Sequence, residues 1–370
     1  MDNLSQLLEK YKNGTCSDKE LIAIDYYFHH FELQQDLQLS ETELAAVRSE
    51  MWMNIAPEQP LVKKLWFKVA AAVAIAAIIL SVGVYFNSLD QNRIDSRLAQ
   101  QEIKPGKSAA TLILADGRKV KLGDKGTKSV FVDGTNVATA NSNLLSYTVT
   151  DQASVKNTLI TANAEQFALR LPDGTEVWLN AASSLTYETN INASGQRVVY
   201  LEGEAYFQVA KDKAHPFLVQ TADQLVEVYG THFNVSSYAV DQLTATTLLE
   251  GSVSVSANGQ TLMLKPGEQA KLQDKKLRLK AVDAAYAASW KDGFFMFDHE
   301  ELVSVMNKLA RWYGIKVVYL DESVKRETFF GTISRAKNIT NVLEHLSKTK
   351  TLKFSVDQNV VYVSSPVNRH

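Results

Sequence analysis

LRLPDGTEVWL, residues Leu169 to Leu179, decides the fold of most of this chain. Leu169, Leu171, Val177 and Leu179 alternate with polar residues, the period of a half-buried strand. Asp173-Gly174 interrupts them, and Asp-Gly supplies the positive-φ step of a hairpin turn. The same form, LxLxDGxxVxL, occurs earlier as LILADGRKVKL, from Leu112 to Leu122. A weaker copy surrounds Asp133-Gly134. A further hairpin is marked by Val253 and Val255, Asn258-Gly259, then Leu262 and Leu264. Hairpins that recur without helical segments between them predict an all-β, hairpin-rich, solenoid-like domain over residues 106–280.

Inside that region lies a dense run, RVVYLEGEAYFQVA, from Arg197 to Ala210, with Glu202 and Glu204 flanking Gly203. Paired carboxylates serve acid–base chemistry where a second cluster or an electrophile faces them. Nothing nearby in the sequence supplies one. The seven histidines show no HExxH-type spacing. No nucleophile elbow, phosphate loop or dinucleotide fingerprint is present. The chain therefore reads as a non-enzyme with no metal and no cofactor.

From Trp290 the period changes. FFMF, Phe294 to Phe297, predicts a strand. Asp298 and Glu301 form a capping-box pattern before a helix whose apolar face is Leu302, Val305, Met306 and Leu309, ended by Gly314. IKVVYL, TFFGTI, a helix with Ile339, Val342, Leu343 and Leu346, and the strands LKFSV and VVYVS follow. The order β-α-β-β-α-β-β predicts a two-layer α+β domain over 290–366.

Upstream of the β region, VAAAVAIAAIILSVGVYF, from Val69 to Phe86, contains no charge. Extended back to Leu65 it is a candidate helix of roughly 20 residues, enough for the ~30 Å hydrocarbon core. Trp66, Phe67, Tyr85 and Phe86 mark its ends as interfacial aromatics do. Lys63, Lys64 and Lys68 precede it, which places the N-terminus in the cytoplasm. About 60 residues stand before it, too many for a cleaved signal peptide. The expected order is a cytoplasmic helical segment (1–62), a transmembrane helix (65–86), a linker (87–105) and the two exterior domains.

The first 62 residues carry helical faces: Leu4, Leu7, Leu8 and Tyr11, then Leu21, Ile24, Phe28 and Phe31, then Leu44, Val47 and Met51. Ser17 with Glu20, and Ser40 with Glu43, match the capping box. A segment this short has a marginal core, so its apolar faces either pack on each other or bury themselves in a partner. Acidic residues outnumber basic ones here, which suits a basic protein better than nucleic acid. The whole chain, 370 residues with a formal charge of −2, has no basic excess for nucleic-acid binding. Its single cysteine, Cys16, excludes intrachain disulfides and falls on the expected reducing side of the membrane.

LPDGTEVWLNAASSLTY (Leu171 to Tyr187), YLEGEAYFQVAKDKAHPFLV (Tyr200 to Val219), GTHFNVSSY (Gly230 to Tyr238), TTLLEGSVSV (Thr246 to Val255) and LKPGEQA (Leu264 to Ala270) resemble the FecR family of anti-sigma factors, in its Bacteroidota-type branch. Thr161-Ala162-Asn163-Ala164 stands where that branch often has a Gly-rich step. LARWYGIKVVY and FFGTI resemble the family's C-terminal domain, which is similar to the short N-terminal domain of secretins and TonB-dependent transducers.

The resemblance implies a single-pass inner-membrane protein whose cytoplasmic helices sequester an extracytoplasmic-function sigma factor. It implies that the exterior domains receive a signal from the signalling domain of an outer-membrane TonB-dependent transducer. The sigma-binding candidates are then Leu21, Ile24, Phe28, Phe31, Leu44, Val47 and Met51. The transducer-binding candidates are Arg311, Trp312 and Tyr313. Gly230-Thr231 is a candidate self-cleavage bond, by attack of the Thr231 hydroxyl on the Gly230 carbonyl. The reading from another class is a membrane-anchored, lectin-like envelope binding protein without a cytoplasmic partner.

Overall fold

A computed structural model describes residues 103–123, 128–132, 135–141, 143–147, 154–192, 194–349 and 351–366. The chain divides into two compact units, Met1–Arg97 and Leu98–His370, and every described residue belongs to the second. The predicted cytoplasmic helices, the predicted span at 65–86 and linker residues 87–102 lie outside the described residues. Among the described residues no helix is long and apolar enough to cross a membrane.

Apart from the short strand Lys107–Ser108, which pairs in parallel with Glu165 and Gln166, the described strands up to Ala281 form two sheets over one core. In the first sheet the order is Lys119–Leu122, Ala110–Ile113, Lys156–Thr161, Ser183–Glu188, the first half of Arg197–Gln208, Phe217–Gln220, Leu225–Val228, Val253–Ala257 and Gln260–Leu264. The second runs Lys128–Val132, Thr135–Ala140, Leu144–Tyr147, Glu165–Arg170, Glu176–Leu179, the second half of Arg197–Gln208, His232–Tyr238, Leu243–Glu250, Glu268–Gln273 and Lys276–Ala281. Alternate side chains of both enter the same core, Leu112, Leu159 and Val255 from one and Phe167, Phe207 and Val235 from the other. The chain winds from one layer to the other and back. The two LxLxDGxxVxL copies therefore sit in opposite sheets, not as successive rungs of one stack.

Their turns are built alike. Gly117 N–H donates to the Leu114 carbonyl and Gly174 N–H to that of Leu171. Each glycine has φ +85°, the three-residue hairpin loop with a left-handed last residue. Asp116 and Asp173 each accept the backbone N–H two residues on. Only in the second copy does the aspartate also anchor a distant strand. Asp173 Oδ2 is 2.9 Å from Arg197 Nη1, both side chains being buried. Arg197 also donates to the carbonyls of His215 and Ala210, so its charge and donors are satisfied together.

Arg197–Gln208 changes sheets midway. Val199–Glu202 pairs with Ser184–Tyr187 in the first sheet, and Gly203–Gln208 with His232–Ser237 in the second. Gly203 is the corner, at φ +91°, and a Cβ there would lie 2.4 Å from Ser183 Oγ. The Glu202/Glu204 pair is thereby split. Glu202 is solvent-exposed, while Glu204 turns toward the C-terminal domain.

That domain has the predicted order of elements. Phe294–Glu301 pairs with Thr328–Ser334, and Lys316–Tyr319, Val360–Ser364 and Lys353–Asp357 form a second small sheet. A short helix, α1 (Ala284–Ala288), joins the two domains. Helices α2 (Leu302–Tyr313) and α3 (Ile339–Ser347) bury the predicted apolar faces. One expectation is corrected: Asp298 does not cap α2. The strand continues to Glu301, which is the N-cap without a side-chain bond, and Asp298 pairs with His299 instead. A strand hydrogen-bonded to its neighbour outcompetes the extra helical turn.

Candidate functional site

The C-terminus of α2 lies against the sandwich, and it carries all three transducer-binding candidates. Arg311 lays its guanidinium 3.8 Å from the Tyr238 ring centroid and reaches Asp241 Oδ1 at 3.1 Å. Asn307, one turn earlier, donates to the same oxygen. The Arg311 carbonyl accepts the Ala164 N–H at 2.8 Å. Trp312 is buried, and Gly106 lies so close that a Cβ there would be 2.6 Å from its ring. Tyr313 is buried too and donates to the Lys337 carbonyl. A partner reaches Trp312 or Tyr313 only by displacing what covers them. Motif reading placed these residues on the right element and could not show which way they point.

The centre of the contact is Arg335, 2% exposed, which no motif marked. Its Nη1 donates to the Trp290 carbonyl at 2.7 Å and its Nη2 to Asn180 Oδ1 at 2.9 Å. Asn180 Nδ2 donates to Glu204 Oε2, and Asn234 Nδ2 to Glu204 Oε1. Trp290 Nε1 donates to Asn234 Oδ1 at 3.1 Å, which closes the ring. A carboxylate only accepts, so both asparagine nitrogens must face Glu204. Both asparagine oxygens then face outward and need donors, which Arg335 and Trp290 supply. Three residues of the sandwich and two from the C-terminal side thus form one fully determined circuit.

Burial pushes the Arg335 guanidinium down to about 10, with the Glu204 charge opposing, so it stays charged at neutral pH. Among the described residues no carboxylate touches it; Glu204 neutralises it at one remove, through Asn180. Burial, reinforced by the Glu204 charge, raises the Tyr238 phenol, whose hydroxyl donates to the Ala181 carbonyl at 2.7 Å. The carboxylate that sequence reading considered for acid–base chemistry is a structural acceptor. The signal that could have found it is a glycine inside an alternating strand pattern, which marks a corner and sends the acids on its two sides to different surroundings.

Gly230-Thr231 lies apart from this contact, before the strand His232–Tyr238. Gly230 has φ +142°, and a Cβ there would lie 2.8 Å from the Lys211 Cα. Thr231 is buried, and its hydroxyl donates to the Ser252 carbonyl at 3.0 Å. The adjacent His232 faces Glu250, at 3.2 Å. The hydroxyl is thus held in one rotamer beside a glycine that no other residue replaces without strain. Among the described residues no group of three His, Cys, Asp or Glu side chains converges as a metal site. The sigma-binding candidates Leu21, Ile24, Phe28, Phe31, Leu44, Val47 and Met51 lie outside the described residues.

Comparison with known proteins places both domains. Residues 157–254 match the family described as FecR protein, and residues 294–363 match FecR, C-terminal. Two crystal structures of a candidate anti-sigma factor from Parabacteroides distasonis ATCC 8503, at 1.65 and 2.50 Å resolution, are similar in structure, each with a TM-score of 0.54 and 28% identity. The first covers 56% of this chain and 99% of its own, the second 57% and 100%. No curated protein matches significantly. The sandwich and the α+β module occur in the order of those two matches, and the chain belongs to the FecR family.

Proposed function

We propose that this protein is an anti-sigma factor of the inner membrane, with an N-terminal segment that sequesters a sigma factor and exterior domains that regulate the sequestration. The observation that supports the reading most is the tandem of FecR and FecR C-terminal matches, together with the likeness over nearly the whole length of a solved candidate anti-sigma factor. The finer reading is that the sigma factor is of the extracytoplasmic-function class and that the exterior signal comes from a TonB-dependent transducer. The helical faces at Leu21–Phe31 and Leu44–Met51 would cover sigma-factor surfaces otherwise offered to RNA polymerase. The span at 65–86 would carry the change across the membrane.

Regulation requires that the signal bind two states differently. The contact centred on Arg335 is suited to define one of them, because its circuit is either complete or broken. The test is co-purification of the full chain, in detergent, from cells that express extracytoplasmic-function sigma factors. A sigma factor should co-elute with the wild type and be lost from Ile24→Asp/Phe28→Asp. Recovery of none with the wild type would sink the reading and favour an envelope binding protein.

The Gly230-Thr231 bond is part of the same proposal as a candidate release point, not as an enzyme's active site. The Thr231 Oγ would bond to the Gly230 carbonyl carbon as the Gly230–Thr231 C–N bond breaks. The hydroxyl proton would pass to the new amine, and water would hydrolyse the ester. Immunoblots of wild type and Thr231→Ala decide this: two fragments in the first and one full-length band in the second support it, and identical full-length bands reject it.

A further inference from the structure

The second sheet ends in two paired strands, Glu268–Gln273 and Lys276–Ala281. Their register sets Lys271 opposite Arg278, Gln269 opposite Lys280 and Gln273 opposite Lys276. Directly opposed residues share a face of the sheet. Lys271, Lys276, Arg278 and Lys280 therefore stand on one side, while Leu277 packs against the core from the other. Lys271 and Lys280 line a cavity of about 910 Å³ between this face and the C-terminal domain, a size typical of ligand sites.

Among the described residues none of these four cations makes an ion pair. Of the acids lining the same cavity, Asp241 pairs with Arg311, Glu300 with Lys308 and Asp298 with His299, Glu204 accepts from its two asparagines and Asp283 from the Ala285 N–H, while Glu301 lines it without an ion pair among the described residues. Like charges set directly opposite each other are destabilising. Burial, and after it the Lys280 charge, pushes the Lys271 ammonium down. Edge-strand lysines guard sheets against unwanted pairing, which accounts for Lys276 and Lys280. It does not account for Lys271, which stands on the inner strand of the pair, in the cavity wall.

We propose that this face and the adjoining cavity bind an extended acidic polypeptide segment of a partner protein. Alternate residues of a strand lie about 7 Å apart. Lys276, Arg278 and Lys280 thus form a ladder that matches carboxylates at alternate positions of an extended chain. A compact anion would meet one or two rungs only. Thr247 and Gln269, hydrogen-bonded to each other beside Lys271, form the polar wall past which the segment would enter the cavity. The site is distinct from Arg311, Trp312 and Tyr313, and it does not rest on the sigma-factor reading.

The test is fluorescence anisotropy of a labelled peptide of alternating Glu and Ser, titrated with the full chain in detergent. Saturable binding is expected, weakening steeply between about 50 and about 300 mM salt. Arg278→Glu/Lys280→Glu should weaken it by about tenfold or more, roughly 1.4 kcal/mol, and Lys213→Glu, a cation outside this face, should leave it unchanged. Where the charge-reversed protein melts early, Arg278→Ser/Lys280→Ser should show the same loss in a folded protein. No saturable binding by the wild type, or equal binding by a folded variant, overturns the proposal. Displacement by pyrophosphate as readily as by unlabelled peptide also overturns it, because the site would then be one for compact anions.

Discussion

Arg335 and Trp312 hold each other twice. The Arg335 guanidinium lies 3.8 Å from the Trp312 ring centroid, and the Trp312 Nε1 donates to the Arg335 carbonyl at 2.9 Å. The stack fixes the plane of the guanidinium, and that plane aims its two Nη atoms at Trp290 and Asn180. One side chain thereby joins α2, the segment after Thr328–Ser334, the inter-domain connection and the sandwich.

Arg335→Lys should therefore behave as a disruptive change. An ammonium lacks the planar fork and cannot serve both acceptors while lying flat on the indole. Asn180 Oδ1 or the Trp290 carbonyl then loses its charged donor and keeps only the backbone N–H of Ala181 or Gly293, at a cost of about 1.5–3 kcal/mol for the lost charge-assisted bond. Denaturant unfolding should show a loss of about 2–4 kcal/mol. Protease sensitivity should rise between residues 282 and 293, where the domains join.

Glu204→Gln tests the circuit from its other side. An amide in place of the carboxylate must present an N–H₂ to one of the two asparagine N–H₂ groups, and donor faces donor. The expected loss is about 1–3 kcal/mol. Asn234→Asp added to Glu204→Gln should restore part of it, since the new carboxylate accepts from both the introduced amide and Trp290. A double-mutant cycle measures the coupling.

Ala164 has φ +61°, and its N–H donates to the Arg311 carbonyl. Left-handed backbone costs a residue with a Cβ about 1 kcal/mol. Ala164→Gly should raise stability by a few tenths of a kcal/mol, up to about 0.6, once the added freedom of the unfolded chain is deducted. An unchanged or lower melting temperature would contradict this.

The corner glycine and a turn glycine should separate cleanly. Gly174→Ala places a methyl in open space at φ +85°, so it should cost only about 1 kcal/mol. Gly203→Ala drives a methyl into Ser183 at a similar φ and should cost several times that, or prevent folding. Thermal melts of the two variants provide the comparison.

Alkaline pH should loosen the docked domains. The Tyr238 phenol is held above its ordinary value, chiefly by burial, so the neutral form is the one the fold favours. That contribution is fully present below the unfolded value of about 10 and is lost as pH rises through the folded value. Tyr187 and Tyr313 are raised in the same direction. Tyr238→Phe keeps the ring under Arg311, costs about 1 kcal/mol at neutral pH, and should flatten the fall of stability above pH ~10.

The strands around Leu169–Leu179, the turn glycines and the two helices of the C-terminal domain were legible because each depends on neighbours within a few residues. A period of two, a period of 3.6 and an Asp-Gly step act locally, and the sequence by itself determined them. The arrangement of the hairpins was not legible. Assigning Leu112–Leu122 and Leu169–Leu179 to opposite sheets depends on pairings between residues far apart in the chain, and identical local patterns carry no record of which layer they join. The corner at Gly203 splits Glu202 from Glu204 for the same reason. The site was decided entirely by tertiary structure. Arg335, Asn180, Glu204, Asn234 and Trp290 are scattered over about 155 positions, and what unites them is acceptor-only and donor-only chemistry meeting at one buried contact, where each unpaired group is costly.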